Sequence, residues 1–209
     1  MMKNYISAFI FSCLLVLQAC DNRDYKHIET QDVEGGFQSR DEGRPYLEKN
    51  NDALRKATKL IQDENYSEAI KIYRDIIDKS PNEYAAYHGL GTAYFYLNDV
   101  ALAKSCYEKA ISLNRNLIYS YAGLGAIAKR NGSYTEAIYQ YSSAIRINNE
   151  FALAYYGRAG AYEEINKYHR AADDYNEVVK LVPKSSLSQK SLEKLMAIKN
   201  LTSQSTRTW

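Results

Sequence analysis

From residue 50 onward, the apolar and polar positions of the chain fall into a pattern that returns every 34 residues. Small residues recur at Ala57, Gly91, Gly125 and Ala159, and again at Ala69, Ala103, Ala137 and Ala171. In the same register run Tyr73, Tyr107, Tyr141 and Tyr175, then Ile76, Ala110, Ala144 and Val178, with further aromatics at Tyr87, Tyr121 and Tyr155. Numbered from 50, 84, 118 and 152, each unit puts positions 4, 8 and 11 on one face of a first helix, A. Positions 20, 24 and 27 share one face of a second helix, B, since both sets follow the i, i+3, i+4, i+7 spacing. Asn65, Asn98-Asp99, Asn131-Gly132 and Asn166 mark the turn between A and B. Small residues at 8 and 20 let the paired backbones approach, and aromatics at 4, 11 and 24 fill the space beside them. The 20 tyrosines of the chain are thereby mainly a packing feature.

With Leu60, Tyr94, Ala128 and Tyr162 between the small positions, and Pro81 and Pro183 closing the first and fourth units, the pattern resembles the tetratricopeptide repeat (TPR) over residues 50–185. The resemblance implies an all-α fold, a right-handed α-solenoid of four helix-turn-helix units spanning 50–83, 84–117, 118–151 and 152–185. One such hairpin leaves an apolar face open, so stability comes from stacking neighbours and the end units must differ. Lys56 stands where the inner units have Leu90 and Leu124, and Ala53 replaces the tyrosine of position 4, as a solvated end requires. After Pro183, Leu187, Leu192, Leu195, Met196 and Ile198 fall on one side of residues 186–201 and predict a capping helix over the fourth unit. Residues 202–209 are polar apart from Trp209 and are expected to be a flexible tail.

The opening residues MMKNYISAFIFSCLLVLQAC carry Lys3, an apolar stretch from Ile6 to Leu17, and Ala19 before Cys20, the layout of a secretory signal peptide over 1–19. Twelve helical residues rise about 18 Å, short of a ~30 Å hydrocarbon core. Leu17-Gln18-Ala19-Cys20 resembles the lipobox of bacterial lipoproteins, in which the cysteine is lipidated and becomes the new N-terminus; Gln18 departs from the small or aliphatic residue usual there. Several acyl chains on Cys20, palmitate among them, would hold the protein at the membrane. Residues 20–49 carry charge, Gly35-Gly36 and few large apolar side chains, and are expected to be a disordered tether. The resemblance implies a lipid-anchored, periplasm-facing protein of the cell envelope. Asp21-Asn22 after the cysteine favours the inner over the outer membrane.

Charge narrows the partners. A formal net charge of +2 with no long run of like charges lacks the electrostatic footprint of nucleic-acid binding. Three cysteines, two of them within the first twenty residues, build neither a disulfide framework nor a metal-ligand spacing. His88 and His169 stand far apart in sequence without H-E-x-x-H, so no metal is expected; Glu163-Glu164 reads as a solvated face, and Cys106 as an unactivated thiol. Gly123-Leu-Gly125-Ala-Ile-Ala128 has the G-x-G-x-x-A spacing of a dinucleotide loop, but such a loop must follow a strand and has no reason to recur. Gly89 and Gly91 precede it by 34 residues, and Gly157 and Ala159 follow by 34. No cofactor and no catalysis are expected, since an enzyme would need a fold that the repeat does not supply.

What the repeat offers is a surface. By resemblance, helix A positions 2, 5, 6, 9, 12 and 13 line a concave groove for an extended peptide or a partner helix. Here they are His88, Gly89, Thr92, Phe95 and Tyr96; Tyr119, Gly123, Lys129 and Arg130; and Tyr156, Gly157, Glu163 and Glu164. Relatives that clamp a chaperone's C-terminal carboxylate carry Lys and Asn where this chain has Leu54, Thr58, Gly89, Tyr119 and Gly123. Gly89, Gly123 and Gly157 serve either close approach of neighbouring A helices or a groove floor left bare for a ligand backbone; Tyr96, Tyr119 and Tyr156 either bind or pack between repeats. The chain reads as a membrane-anchored adaptor or scaffold, similar to pilotin-type assembly factors and to scaffolds of peptidoglycan enzymes. The alternative is a structural lipoprotein that self-associates through the groove.

Overall fold

The computed structural model describes residues 45–205, with side chains from 52 to 203. The expected signal peptide, Cys20, the tether as far as residue 44 and the last four residues of the tail lie outside the described residues. Four helical hairpins follow one another: α1 (Pro45–Gln62) with α2 (Tyr66–Lys79), α3 (Tyr84–Tyr96) with α4 (Val100–Leu113), α5 (Ile118–Arg130) with α6 (Tyr134–Ile147), and α7 (Ala152–Glu164) with α8 (Tyr168–Leu181). A ninth helix, α9 (Ser186–Ser205), comes after them, and the described residues contain no strand. Each A helix packs on its own B helix, and α3, α5 and α7 also pack on the B helix before them, which is the stacking of a solenoid.

Helices begin at 84, 118, 152 and 186, and at 66, 100, 134 and 168, so the period of the side chains is also the period of the backbone. The A–B turn explains the punctuation. Its left-handed residue is Glu64, Asn98, Gly132 or Asn166, again 34 apart. In the second hairpin the Asp99 N–H reaches the Tyr94 carbonyl at 2.9 Å and the Asn98 N–H reaches that of Phe95 at 3.1 Å, and the other three turns repeat this double closure. Asn and Gly enter the left-handed region readily, whereas Glu does not. The first turn nonetheless pivots on Glu64, one residue before the expected marker Asn65, because the repeat fixes the turn at that register position.

Two boundaries move. α1 begins at Pro45, inside the stretch expected to be tether; proline suits a first helical position, where its missing N–H is no loss. α9 runs on to Ser205, into the expected tail. Its apolar side also divides. Leu187 and Ile198 are buried, but Leu192 and Met196 face solvent, because the buried face of α9 runs through Ser188, Ser191 and Leu195 instead.

The A helices inside the array are buried around most of their circumference, as Ala86, Gly89, Leu90, Gly91, Thr92, Ala93, Tyr94 and Phe95 of α3 show. B helices bury one stripe, such as Ala103, Tyr107 and Ala110 of α4, and leave the rest to water. Between them the four position-24 tyrosines are the largest fully enclosed side chains.

Candidate functional site

The glycines of the A helices are shaped around those tyrosines. An added Cβ at Gly91 would lie 2.8 Å from Tyr107 Cδ1, and one at Gly123 would lie 2.6 Å from Tyr107 Cε2. Tyr141 is held the same way, with its ring 2.9 Å from an added Cβ at Gly125 and 2.4 Å from one at Gly157. Gly89 leaves room for Tyr73 at 2.2 Å. Tyr107 and Tyr141 thus lie between their own A helix and the A helix of the next hairpin, each in a slot with a glycine on either wall. The space beside Gly89, Gly123 and Gly157 is filled by the tyrosine of the preceding B helix, a third answer beside the two that the sequence left open. No described hairpin precedes α1, and its position 6 is an exposed Arg55.

The ring tips reach toward the A-helix face. Tyr73 Oη lies 3.2 Å from Thr58 Oγ1 and Tyr107 Oη 3.2 Å from Thr92 Oγ1, while Thr92 Oγ1 also donates to the His88 carbonyl at 3.2 Å. His88 Nδ1 is 2.9 Å from Ser120 Oγ and joins α3 to α5, with its ring 5.6 Å from that of Tyr107 and 6.3 Å from that of Tyr119. Enclosed in this way, the imidazole loses hydration of its cation, and its pKa falls to about 4.

Tyr96, Tyr119 and Tyr156 are half-buried, not open, and each lies against another ring. Tyr96 stacks on Tyr66 with centroids 5.3 Å apart, Tyr119 meets Phe151 edge-on at 5.1 Å, and Tyr156 meets Tyr175 edge-on at 5.6 Å. Phe95 is buried, and the Arg130 guanidinium lies over its ring at 5.4 Å while donating to Asn98 Oδ1 of the neighbouring hairpin's turn. Lys129 runs along Gly160, its Nζ 3.4 Å from where a Cβ would stand.

Glu163 departs from the solvated reading. It accepts from the Tyr175 hydroxyl and pairs with Lys194 of α9 at 3.2 Å, so it ties the last hairpin to the helix that covers it. Burial, and then that bond to Glu163, push the Tyr175 hydroxyl pKa up. Glu164, its neighbour, is exposed. Of the residues expected on this face, the structure thus brings His88, Thr92 and Tyr119 together at the α3–α5 joint and Phe95 with Arg130 at its edge. Glu163 instead belongs to the α7–α9 joint.

Sequence reasoning missed an ion pair in the fourth hairpin. Arg158, at the position-7 site of Leu90 and Leu124, donates from Nε to Asp174 Oδ2 at 2.8 Å, from Nη2 to Asp174 Oδ1 at 2.7 Å, and from Nη1 to Ser142 Oγ at 3.0 Å. Burial holds the Asp174 carboxyl above the ordinary carboxylate range, against the opposing pull of Arg158. The signal was present as a coincidence of two departures in one unit, Arg for Leu at position 7 and Asp at position 23. Cys106, also at position 23, is half-buried, and burial pushes its thiol up to about 11 despite the nearby Arg74. No group of metal-ligating side chains occurs among the described residues, and the glycines of the G-x-G-x-x-A stretch lie inside α5.

Family models described as tetratricopeptide repeat match residues 84–117 and 153–185, and one described as TPR repeat matches 129–165. The chain carries tetratricopeptide repeats. The solenoid is similar to MamA 41-end from Desulfovibrio magneticus RS-1, at 16% identity and TM-score 0.59 over 75% of this chain and 96% of that one. It is also similar to the first TPR of Spaghetti (RPAP3) bound to HSP90 peptide SRMEEVD, at 20% identity and TM-score 0.55 over 58% of this chain and 94% of that one. The Arabidopsis OM64 TPR domain aligns at 23% identity and TM-score 0.51, over 54% and 93%. No curated protein matches the chain. The first hairpin and α9 lie beyond these family matches and join the array through the shared 34-residue register.

Proposed function

We propose that this chain is a membrane-anchored adaptor whose TPR array receives a peptide or partner helix on the face lined by α3, α5 and α7. The observation that carries the reading is the row of half-buried rings on that face, Tyr96, Tyr119 and Tyr156, each already ordered by a neighbouring ring. Such side chains lose little entropy when a partner lies on them and are enriched among binding hot spots. The TPR of Spaghetti was solved with an HSP90 peptide, which supports a peptide as the class of ligand. Leu54, Thr58, Gly89, Tyr119 and Gly123 stand in place of the Lys and Asn clamp, which argues against a chaperone's C-terminal carboxylate as the ligand. Lipidation at Cys20 would present the array to the periplasm, with the inner membrane favoured, as a component in the assembly of an envelope machine.

Crosslinking in intact cells tests the surface, and fractionation tests the anchor. Changing Tyr96, Tyr119 and Tyr156 to Ala should remove partners that the parent chain retains, with the helical circular dichroism preserved; survival of every partner defeats the proposal. Cys20→Ser should release the chain from membranes or leave its precursor uncleaved. Unchanged processing and fractionation would refute lipidation.

A further inference from the structure

α9 keeps the register of the array. It begins at Ser186, 34 residues after Ala152, and Ser188 and Ser191, at positions 3 and 6, are fully buried like Ala154 and nearly so Gly157 at those positions of α7. Leu195, at position 10, joins the cluster of Ala159, Ala171, Tyr175 and Ile198. It is in effect a fifth A helix.

Positions 7 and 11 behave differently. In α3 and α5 they are Leu90 and Tyr94, and Leu124 and Ala128, only 6–7% exposed. Arg158 shows what covers position 7, since it reaches Asp174 on its own B helix and Ser142 on the preceding one. In α9 the same positions are Leu192 and Met196, 43% and 66% exposed. The α8 flank is present, and no described helix lies on the other. Between them, at position 8, stands Glu193, where the hairpins have Ala57, Gly91, Gly125 and Ala159. At Gly91 and Gly125 the tyrosine of the same hairpin's B helix is seated. Even a Cβ at Gly91 or Gly125 would crowd that ring, so a side chain as large as Glu leaves it no slot. Glu193 is exposed beside Leu192, and a helix laid on Leu192 and Met196 with a cation facing Glu193 keeps that carboxylate paired.

We propose that Leu192, Glu193 and Met196 dock an amphipathic helix of a partner protein in the place of a fifth B helix, with an aliphatic stripe on the two apolar side chains and a Lys or Arg opposite Glu193. The docked helix continues the A–B seam that runs through the four hairpins, and its chemistry is read from the charge at position 8. This surface is separate from the A-helix face and does not depend on what that face binds.

The probe is a fluorescein-labelled peptide with the sequence of α6, Tyr134–Ile147, carrying Tyr141→Lys. Its anisotropy should saturate on the full chain, and Met196→Asp or Leu192→Asp should weaken binding at least tenfold without changing the circular dichroism. Glu193→Lys should reverse the preference, toward the same peptide with Tyr141→Glu. Short peptides are poorly helical alone, so the same sequence is also joined after Trp209 through a Gly/Ser linker, which raises its local concentration to the millimolar range. Joined, it should raise the melting temperature by several degrees, and Met196→Asp should abolish the rise. If neither form engages, or both engage the Met196→Asp chain equally, the proposal fails. A dimer in sedimentation that Met196→Asp dissolves would make a second copy the occupant and overturn it. Loss of peptide binding in Tyr119→Ala would move the site to the A-helix face, with the same consequence.

Discussion

α5 and α9 stand in the same register of one array, yet they are different objects. α5 is walled by α4, α6 and its neighbouring A helices, and Ala122, Leu124, Gly125, Ala126, Ile127 and Ala128 are all buried. α9 has α8 on one side and α7 at its edge, and its Leu192 and Met196 remain in water. Burial in a solenoid is therefore assigned by the place of a position in the stack, and the residue's own hydropathy only has to agree with it. Where a wall is present, the position demands a shape: glycine beside a tyrosine ring, or a small residue between paired helices. Where it is missing, the same position tolerates Leu, Glu or Met.

The strongest way to break that contrast is to empty an inner slot. Tyr141→Ala removes a fully buried ring from between Gly125 and Gly157, and a void lined by two glycines cannot be refilled by neighbouring side chains. The cost should be about 3–5 kcal/mol in urea unfolding. Met196→Ala, at the exposed end, should stay within about 0.5 kcal/mol. Equal losses at the two positions would show that α9 is covered after all.

Next comes the ion pair of the fourth hairpin. Asp174→Ala leaves the Arg158 guanidinium between α6, α7 and α8 without its bidentate partner and should cost about 3 kcal/mol or more. Adding Arg158→Leu to that variant should recover most of the loss, because Leu90 and Leu124 fill the same position in the inner hairpins. If the double variant is no more stable than Asp174→Ala, the inner hairpins are a poor guide to the fourth.

The α3–α5 joint adds a dependence on pH. Burial lowers the His88 pKa to about 4 from 6.5, so between these values the unfolded chain takes up a proton that the folded joint refuses. Stability is full above about pH 6.5 and falls as the solution is acidified toward pH 4, by about 2–3 kcal/mol. Thermal melts across this window should flatten in His88→Gln. An unchanged slope would mean that the loss comes from other groups.

Much of this was legible in the sequence, and the omissions have physical causes. The 34-residue period fixed where helices A and B start, because one amphipathic hairpin repeated four times leaves its spacing in every small and aromatic residue. What escaped was whatever depended on a neighbour's side chain. A glycine in a helix says that something comes close, but only coordinates say that it is Tyr107 or Tyr141 of the preceding B helix. Glu163 and Glu164 are adjacent and identical in type, yet one is tied to Tyr175 and Lys194 while the other is solvated. Arg158 and Asp174 lie 16 residues apart and declare themselves only once α7 is packed on α8. On the A-helix face the residue set was legible from position alone, whereas the ring pairs that half-bury Tyr96, Tyr119 and Tyr156 were not.

The smallest effect probes the wall itself. Gly157→Ala should gain about 1 kcal/mol of intrinsic helix propensity, but its Cβ would stand 2.4 Å from Tyr141 Cζ, and Gly125 closes the other side of that ring. Overpacking of a buried aromatic costs about 1–3 kcal/mol, which exceeds the gain, so the net result should be a loss of about 1 kcal/mol. Ser191 occupies the same position of α9, is fully buried and already carries a Cβ. The tyrosine before it, Tyr175, leans instead on Tyr156 and gives its hydroxyl to Glu163. Ser191→Ala should accordingly be close to neutral, losing only a bond to the Leu187 carbonyl within its own helix. A loss at Gly157 and neutrality at Ser191, for the same alanine at the same register position, would place the demand for glycine in the tyrosine slot. A stabilised Gly157→Ala would instead show that the ring can yield and that the slot is looser than its contacts imply.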